Sequence, residues 1–217
     1  MKIIENKIEV SKTGRYYTSS PASSDLKSLW IVIHGYASLA RNFIKEFEFL
    51  DDEYTMITAP EALSKFYSRN KIGASWMTRE DRSNEINDYL SYLDKFFDEI
   101  KNNFNITGAE INLLGFSQGV HTAVRWFTHT ANHIDKLILC SSDFPKDADF
   151  SKLKKKMLTS EMSFIYAGKD DFFSQETFRQ SMDLLKKNKI NFKEITFDSG
   201  HVIDQTSIIS YINQGLQ

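Results

Sequence analysis

From residue 29 to the end of the chain, short apolar runs alternate with segments whose apolar residues recur every three or four positions. The runs are typical of buried parallel strands, and the periodic segments are typical of helices that cover a sheet. This order predicts an α/β fold, with a mainly parallel central sheet and helices on both faces. The predicted strands are 29–33, 54–58, 111–114, 136–140, 162–167 and a more exposed one at 192–197. The predicted helices are 81–104, the segment after residue 117, 174–188 and 203–214, and the first twenty residues are expected to add one or two antiparallel edge strands.

The composition excludes several classes of protein. Of the 217 residues 41% are hydrophobic, and only 9 are Gly and 3 are Pro, which excludes disordered and collagen-like chains and favours a single domain over residues 1–217. The one cysteine, Cys140, cannot form an internal disulfide, and no Cys/His cluster has zinc spacing, so we expect no metal and no cofactor. The formal net charge is -2 without a long basic block, which argues against nucleic acid as a partner. Charged residues interrupt the apolar ones in 1–7, and no apolar run reaches about 18 residues, so we expect a cytoplasmic protein without a signal peptide or stable membrane insertion. The sequence does not indicate the oligomeric state.

The segment Gly115-Phe116-Ser117-Gln118-Gly119 lies between a predicted strand and a predicted helix. A G-x-S-x-G pattern in that setting predicts a nucleophile elbow, a tight turn that lifts a serine above the sheet. Glycines two residues before and after the serine let the turn close without a clash. We therefore expect Ser117 to be a nucleophile and the backbone N–H of Gln118 to face the negative charge that develops during its attack, with the helix dipole adding to this effect.

A serine nucleophile needs a base and an acid that orients the base, and both follow the serine in chains built around such an elbow. His201 comes after the strand at 192–197 and is the predicted base. Asp170 comes after the strand at 162–167 and is the favoured acid, with Asp171 as the second choice. Asp143 is the third choice. It follows the predicted strand at 136–140, and some hydrolases take their acid from the end of that earlier strand.

The segment His34-Gly35-Tyr36 closes the first buried strand. A loop at this position supplies the second donor of an oxyanion hole, and a glycine lets the backbone approach the substrate. We expect the N–H groups of Tyr36 and Gln118 to be the two donors, and His34 to fix the loop by hydrogen bonds. His121 lies too early in the chain to suit a base. His129 and His133, four residues apart, have a spacing that could suit a metal, but without a third ligand we expect them to lie on an exposed helix surface.

Together these motifs resemble the phospholipase/carboxylesterase family of α/β-hydrolases, which includes small carboxylesterases and acyl-protein thioesterases. The matching segments are His34-Gly35-Tyr36, Ala59-Pro60-Glu61, Gly115-Phe116-Ser117-Gln118-Gly119, Gly168-x-Asp170 and Gly200-His201. The similarity covers roughly residues 29–205. It implies an α/β-hydrolase fold without a large lid domain, and a catalytic triad of Ser117, Asp170 and His201.

The resemblance also implies that Gly73-Ala74-Ser75-Trp76-Met77 lies near the substrate cleft. Trp76 is then either a wall of the substrate pocket or an ordinary core residue. The chain departs from the family in Tyr36-Ala37-Ser38, where Leu-Gly-Asp often follows the His-Gly pair, and in Asp198-Ser199, where glycines are commoner. These departures leave the triad intact, but they do not allow a substrate to be carried over.

The expected function is hydrolysis of a small-molecule carboxylic ester through an acyl-enzyme on Ser117. Hydrolysis of acyl thioesters would use the same residues, so the motifs leave it open. A non-catalytic binding module of the same fold is a further alternative, although such modules usually lack a member of the triad.

Overall fold

The computed structural model describes residues 1–21, 23–68 and 70–214. Its strands are β1 Tyr16–Thr18, β2 Ser28–Ile33, β3 Thr55–Pro60, β4 Ser64–Ser68, β5 Lys71–Ser75, β6 Glu110–Phe116, β7 Lys136–Cys140, β8 Glu161–Ala167 and β9 Lys193–Phe197. Its helices are α1 Ala40–Phe43, which continues as a 3-10 helix over Ile44–Leu50, α2 Arg82–Asn103, α3 Gln118–His129, α4 Phe150–Lys156, α5 Gln175–Lys187 and α6 Gln205–Gln214. Among the helices of the described residues, none is long and apolar enough to cross a membrane.

Seven of the strands form one sheet in the order β1-β3-β2-β6-β7-β8-β9. All neighbours from β3 to β9 in this order are parallel, and β1 pairs antiparallel with β3 at the edge. The predicted mainly parallel sheet is therefore confirmed. The N-terminal region contributes one edge strand, and residues 1–14 form no helix or strand.

Helices cover both faces of the sheet, which explains why the inner strands are apolar without alternation. In β2, Leu29, Ile31 and Ile33 pack on the side of α2, α3, α4 and α5. Trp30 and Val32 pack on the opposite side, against α1, the 3-10 helix and α6. Both sets are buried, so each position of the strand has to be apolar.

The remaining two strands, β4 and β5, form an antiparallel hairpin outside the main sheet. This hairpin lies against the loop that follows β2, with Ser38 and Ala74 paired in an isolated bridge. It therefore borders the carboxyl end of the sheet, where the predicted site residues lie.

Candidate active site

Ser117 occupies a tight turn between β6 and α3. Its backbone has φ 53° and ψ -123°, a conformation that residues other than glycine rarely adopt. A side chain on Gly115 would bring its Cβ to 2.5 Å from the carbonyl oxygen of Gly119, and a Cβ on Gly119 would overlap the carbonyl oxygen of Ile33. The turn therefore needs both flanking glycines.

Replacing Gly119 with alanine is expected to lower the free energy of unfolding by about 3 kcal/mol, because the new methyl group meets backbone that cannot move aside. Gly108→Ala is the matched control: Gly108 has φ 81° but open space around its Cα, so we expect a loss of about 1 kcal/mol from the backbone alone. Urea unfolding of both variants measures the difference. Equal losses would mean that α3 shifts away from β2 at little cost.

The predicted base and acid are joined by a hydrogen bond. His201 Nδ1 lies 2.7 Å from Asp170 Oδ2, and the Asp170 side chain is fully buried, with 0% exposed. The other carboxylate oxygen, Oδ1, accepts hydrogen bonds from the N–H groups of Phe172 at 2.8 Å and Phe173 at 3.1 Å. Because a carboxylate only accepts, Nδ1 of His201 carries the hydrogen, and Nε2 is left as the nitrogen that can take a proton.

The base also lies beside the elbow. The rings of Phe116 and His201 have centroids 4.7 Å apart, and Phe116 directly precedes Ser117. Within the described residues, however, no hydrogen bond joins Ser117 Oγ to His201. Such bonds are often long or poorly aligned until a substrate is bound.

The other two acids considered from the sequence do not contact His201. Asp143 Oδ1 lies 2.8 Å from Nε2 of His121, one turn along α3 from Ser117. Asp171 is exposed to solvent. Asp170 is therefore the one of the three whose carboxylate orients the predicted base.

The two predicted oxyanion donors are available. The loop after β2 is anchored by its neighbours: Ala37 N–H donates to Ala74 O at 2.9 Å, and Ser38 N–H donates to Gly35 O at 3.3 Å. Among the described residues, no acceptor is bound by the N–H groups of Tyr36 and Gln118. Gln118 is the first residue of α3, where N–H groups have no partner within the helix.

His34 fixes this loop, as expected from the sequence. It is buried, the N–H of Ala62 donates to its Nε2 at 3.1 Å, and its Nδ1 lies 2.7 Å from Gly35 O. Since an amide N–H only donates, Nε2 is the acceptor and Nδ1 carries the hydrogen. Burial lowers the pKa of His34 below its ordinary value, against the opposing effects of the Gly35 hydrogen bond and of Glu61.

The low pKa of His34 predicts a pH-dependent stability. Below the ordinary value of 6.5, the unfolded chain binds a proton at this histidine that the folded chain does not, so the free energy of unfolding decreases as the pH falls. Between pH 7.5 and 5.5 the wild type should lose more of its free energy of unfolding than His34→Gln, by at most about 1.4 kcal/mol, as measured by urea unfolding of both. Parallel losses would contradict a neutral, buried His34.

Trp76 is a core residue. From the sequence, it could have been either a wall of the substrate pocket or part of the core. Its side chain is 2% exposed, and its indole N–H donates to His34 O at 2.9 Å. Its ring packs against those of His34 and Tyr89. Trp76 thus holds the start of the loop after β2 through its contacts with His34.

The sequence analysis gave no role to the side chain of Gln118, which ties the elbow to the segment after β5. Its Oε1 accepts from Trp76 N–H at 3.0 Å, and its Nε2 donates to Met77 O at 3.0 Å and to Ser75 Oγ at 3.2 Å. The glutamine of the G-F-S-Q-G motif was the one sequence feature that could have indicated this role. One residue thus offers a free backbone N–H and holds the adjacent loop with its side chain.

No cluster of acidic residues, histidines and cysteines that could hold a metal ion occurs in residues 1–21, 23–68 and 70–214. Cys140 is buried and free, and burial raises the pKa of its thiol well above the ordinary value, an effect to which Asp204 adds. A thiol kept in its neutral form is a poor nucleophile. Cys140 is therefore a poor candidate for the nucleophile, and Ser117 and His201 remain the candidates for nucleophile and base.

Comparison with known proteins identifies a family and a fold for this chain. Residues 31–209 match the family model described as Serine hydrolase (FSH1). No curated protein matches the sequence. Similar solved structures include esterase PE8, with 20% identity, a TM-score of 0.71, and coverage of 94% of this chain and 99% of that one.

Two further similar structures bear on the family. Acyl-protein thioesterase 2 from Zea mays has 16% identity and a TM-score of 0.72, over 94% of this chain and 98% of its own. The carboxylesterase from Bacillus cereus has 12% identity and a TM-score of 0.67, over 93% and 92%. These likenesses confirm the predicted α/β-hydrolase fold and agree with the resemblance that the motifs indicate. The family model matches most of the chain, residues 31–209, and the chain therefore belongs to the FSH1 serine hydrolase family.

Proposed function

We propose that the protein hydrolyses carboxylic esters of small molecules through an acyl-enzyme on Ser117. The observation that supports this most is the hydrogen bond of His201 to a buried Asp170. Beside it, Ser117 lies in a tight turn, and one free N–H group is offered by that turn and one by the loop after β2. Each group then has one task in an acyl transfer: nucleophile, base, orienting acid and oxyanion donors.

In the first half of the reaction, Ser117 Oγ attacks the ester carbonyl and His201 Nε2 takes the serine proton. Asp170 keeps the imidazole in the required tautomer and favours its charged form. The N–H groups of Tyr36 and Gln118 donate to the carbonyl oxygen as it becomes negative, and each such donor typically lowers the barrier by about 3 kcal/mol. His201 then returns the proton to the alcohol oxygen, the C–O bond breaks and the alcohol leaves.

In the second half, water attacks the acyl-enzyme carbonyl while His201 Nε2 accepts a proton from it. The tetrahedral intermediate collapses, the bond to Ser117 Oγ breaks, and the serine regains its proton from His201. The acid product is released. The proposed chemistry uses no metal or cofactor, and the single buried cysteine fits a reducing, cytoplasmic setting.

Labelling with a fluorophosphonate probe tests the proposal directly. The folded protein should gain one adduct, and peptide mass spectrometry should find it on Ser117, because an activated serine attacks phosphorus while an ordinary one does not. Protein unfolded in urea should remain unlabelled and serves as the control. A folded protein without an adduct would favour the non-catalytic binding module.

Hydrolysis of acyl thioesters uses the same residues, and the maize thioesterase among the similar structures makes it the second candidate. Comparing kcat/KM for benzyl acetate and S-benzyl thioacetate distinguishes the two, since they differ only in the leaving atom. A higher value for the oxygen ester supports esterase activity. A preference for the sulfur ester of tenfold or more would overturn the choice.

A further inference from the structure

We infer that Phe172 binds the alcohol part of the substrate, so that the enzyme prefers esters of apolar and especially aromatic alcohols. This inference rests on the proposed function, because it concerns the leaving group of that same reaction. It follows from an exposed aromatic ring held against the predicted base.

Phe172 combines high exposure with a fixed position. Its side chain is 76% exposed, yet its ring centroid lies 4.8 Å from that of His201. Its own backbone N–H donates to Asp170 Oδ1 at 2.8 Å, which anchors the turn that carries it. An apolar ring in this setting is ready to bury surface against a bound molecule without first having to become ordered.

The reaction geometry determines which part of the substrate meets this ring. His201 must return its proton to the alcohol oxygen, so this oxygen has to lie about 2.6–3.2 Å from Nε2. The Nδ1 edge of the same imidazole is held by Asp170, and Phe116 packs against its ring. The carbon atoms beyond the alcohol oxygen therefore run along the exposed border of His201.

An exposed aromatic ring gives this border an apolar surface. Phe172 lies on it, and Val202, the residue after His201, is 48% exposed. Along α3, by contrast, the residue one turn beyond Ser117 is polar: His121 is hydrogen-bonded to Asp143. Phe172 thus offers an apolar surface where the leaving group must lie.

Acetate esters of three alcohols test this inference, since methyl, butyl and benzyl acetate share their acyl group and have alcohols of similar acidity. For the wild type, kcat/KM should increase from methyl to butyl to benzyl acetate. Phe172→Ala should lower kcat/KM for benzyl acetate about tenfold, mainly through a higher KM, and change that for methyl acetate less than twofold. Phe172→Leu should give an intermediate value for benzyl acetate.

Leu158→Ala is the matched control, because Leu158 is an apolar residue of similar exposure, 82%, in the turn before β8, at the amino end of the sheet and away from the site. It should leave all three esters unchanged. An equal loss for all three esters in Phe172→Ala would overturn the inference and assign Phe172 a role in positioning His201. A wild type that does not distinguish the alcohols would overturn it as well.

The outcome separates the two proposals. If the wild type hydrolyses the esters but Phe172→Ala keeps its preference among them, only the inference about the alcohol fails. If the wild type hydrolyses none of them and takes up no fluorophosphonate, the proposed function fails, whatever Phe172 contacts.

Discussion

Ser117→Ala is expected to lower kcat for benzyl acetate by roughly 10⁵- to 10⁶-fold, to the residual rate that substrate binding and the oxyanion donors alone support. Without Oγ no acyl-enzyme can form, and His201 and the two N–H groups retain only the small acceleration that they can give to direct attack by water. Steady-state rates and fluorophosphonate labelling both measure the effect. Ser91→Ala, on the exposed side of α2, should leave the rate unchanged. Activity of Ser117→Ala within a hundredfold of the wild type would contradict the proposed nucleophile.

The same position links activity to strain in the backbone. Ser117 has φ 53° and ψ -123°, and holding a non-glycine residue in such a region costs about 1–3 kcal/mol. The free energy of unfolding of Ser117→Gly should therefore exceed that of Ser117→Ala by about 1 kcal/mol, as measured by urea unfolding. This figure already subtracts the greater entropy of glycine in the unfolded chain. Both variants should be inactive. Equal stability of the two would mean that the turn relaxes when the serine is removed.

The sequence predicts the elements of the sheet because their signals are local. In β2 each residue from Leu29 to Ile33 is buried on one face or the other, which produces the uninterrupted apolar run in the sequence. The elbow was predictable for the same reason, since the glycines that its turn needs lie within two residues of Ser117. Extent over a single domain remains a prediction.

The features that were missed depend on contacts distant in sequence. The hairpin Ser64–Ser75 has only part of one strand buried, so it lacks the alternation of a half-buried sheet, and it is positioned by the loop after β2. For Trp76 the sequence left pocket wall and core open for a similar reason, because its burial depends on His34 and Tyr89, which no local pattern connects to it. Conversely, residues 3–10 carry apolar residues at strand-like spacing but form no strand, and Ile3, Ile4, Ile8 and Val10 are exposed.

The choice between Asp170 and Asp171 shows the limit of sequence reasoning within the site itself. Both follow the same strand, and neighbouring residues in a turn point in different directions that the sequence does not specify. In the structure, the side chain of Asp170 is buried and accepts three hydrogen bonds, whereas Asp171 is exposed. The difference can be tested by replacing each carboxylate with an amide of the same shape.

Asp170→Asn is expected to lower kcat by about 10⁴-fold, and the hydrogen bonds around this residue explain why. The N–H groups of Phe172 and Phe173 require an acceptor at the Oδ1 position, so the amide oxygen of asparagine has to lie there. Its NH₂ group then faces His201 Nδ1, which must become the acceptor, and the imidazole hydrogen moves to Nε2. A base protonated at Nε2 cannot take the proton of Ser117.

Asp171→Asn provides the matched control, because it removes the neighbouring charge without touching His201, and it should change kcat less than threefold. Because the tautomer rather than the fold is altered, Asp170→Asn should still bind substrate, with KM within a few-fold of the wild type. A larger loss in Asp171→Asn than in Asp170→Asn would exchange the roles of the two acids. A loss shared equally between them would mean that the negative charge of the whole turn holds His201. The hydrogen bond that His201 donates to Asp170 would then not be what prepares it as a base.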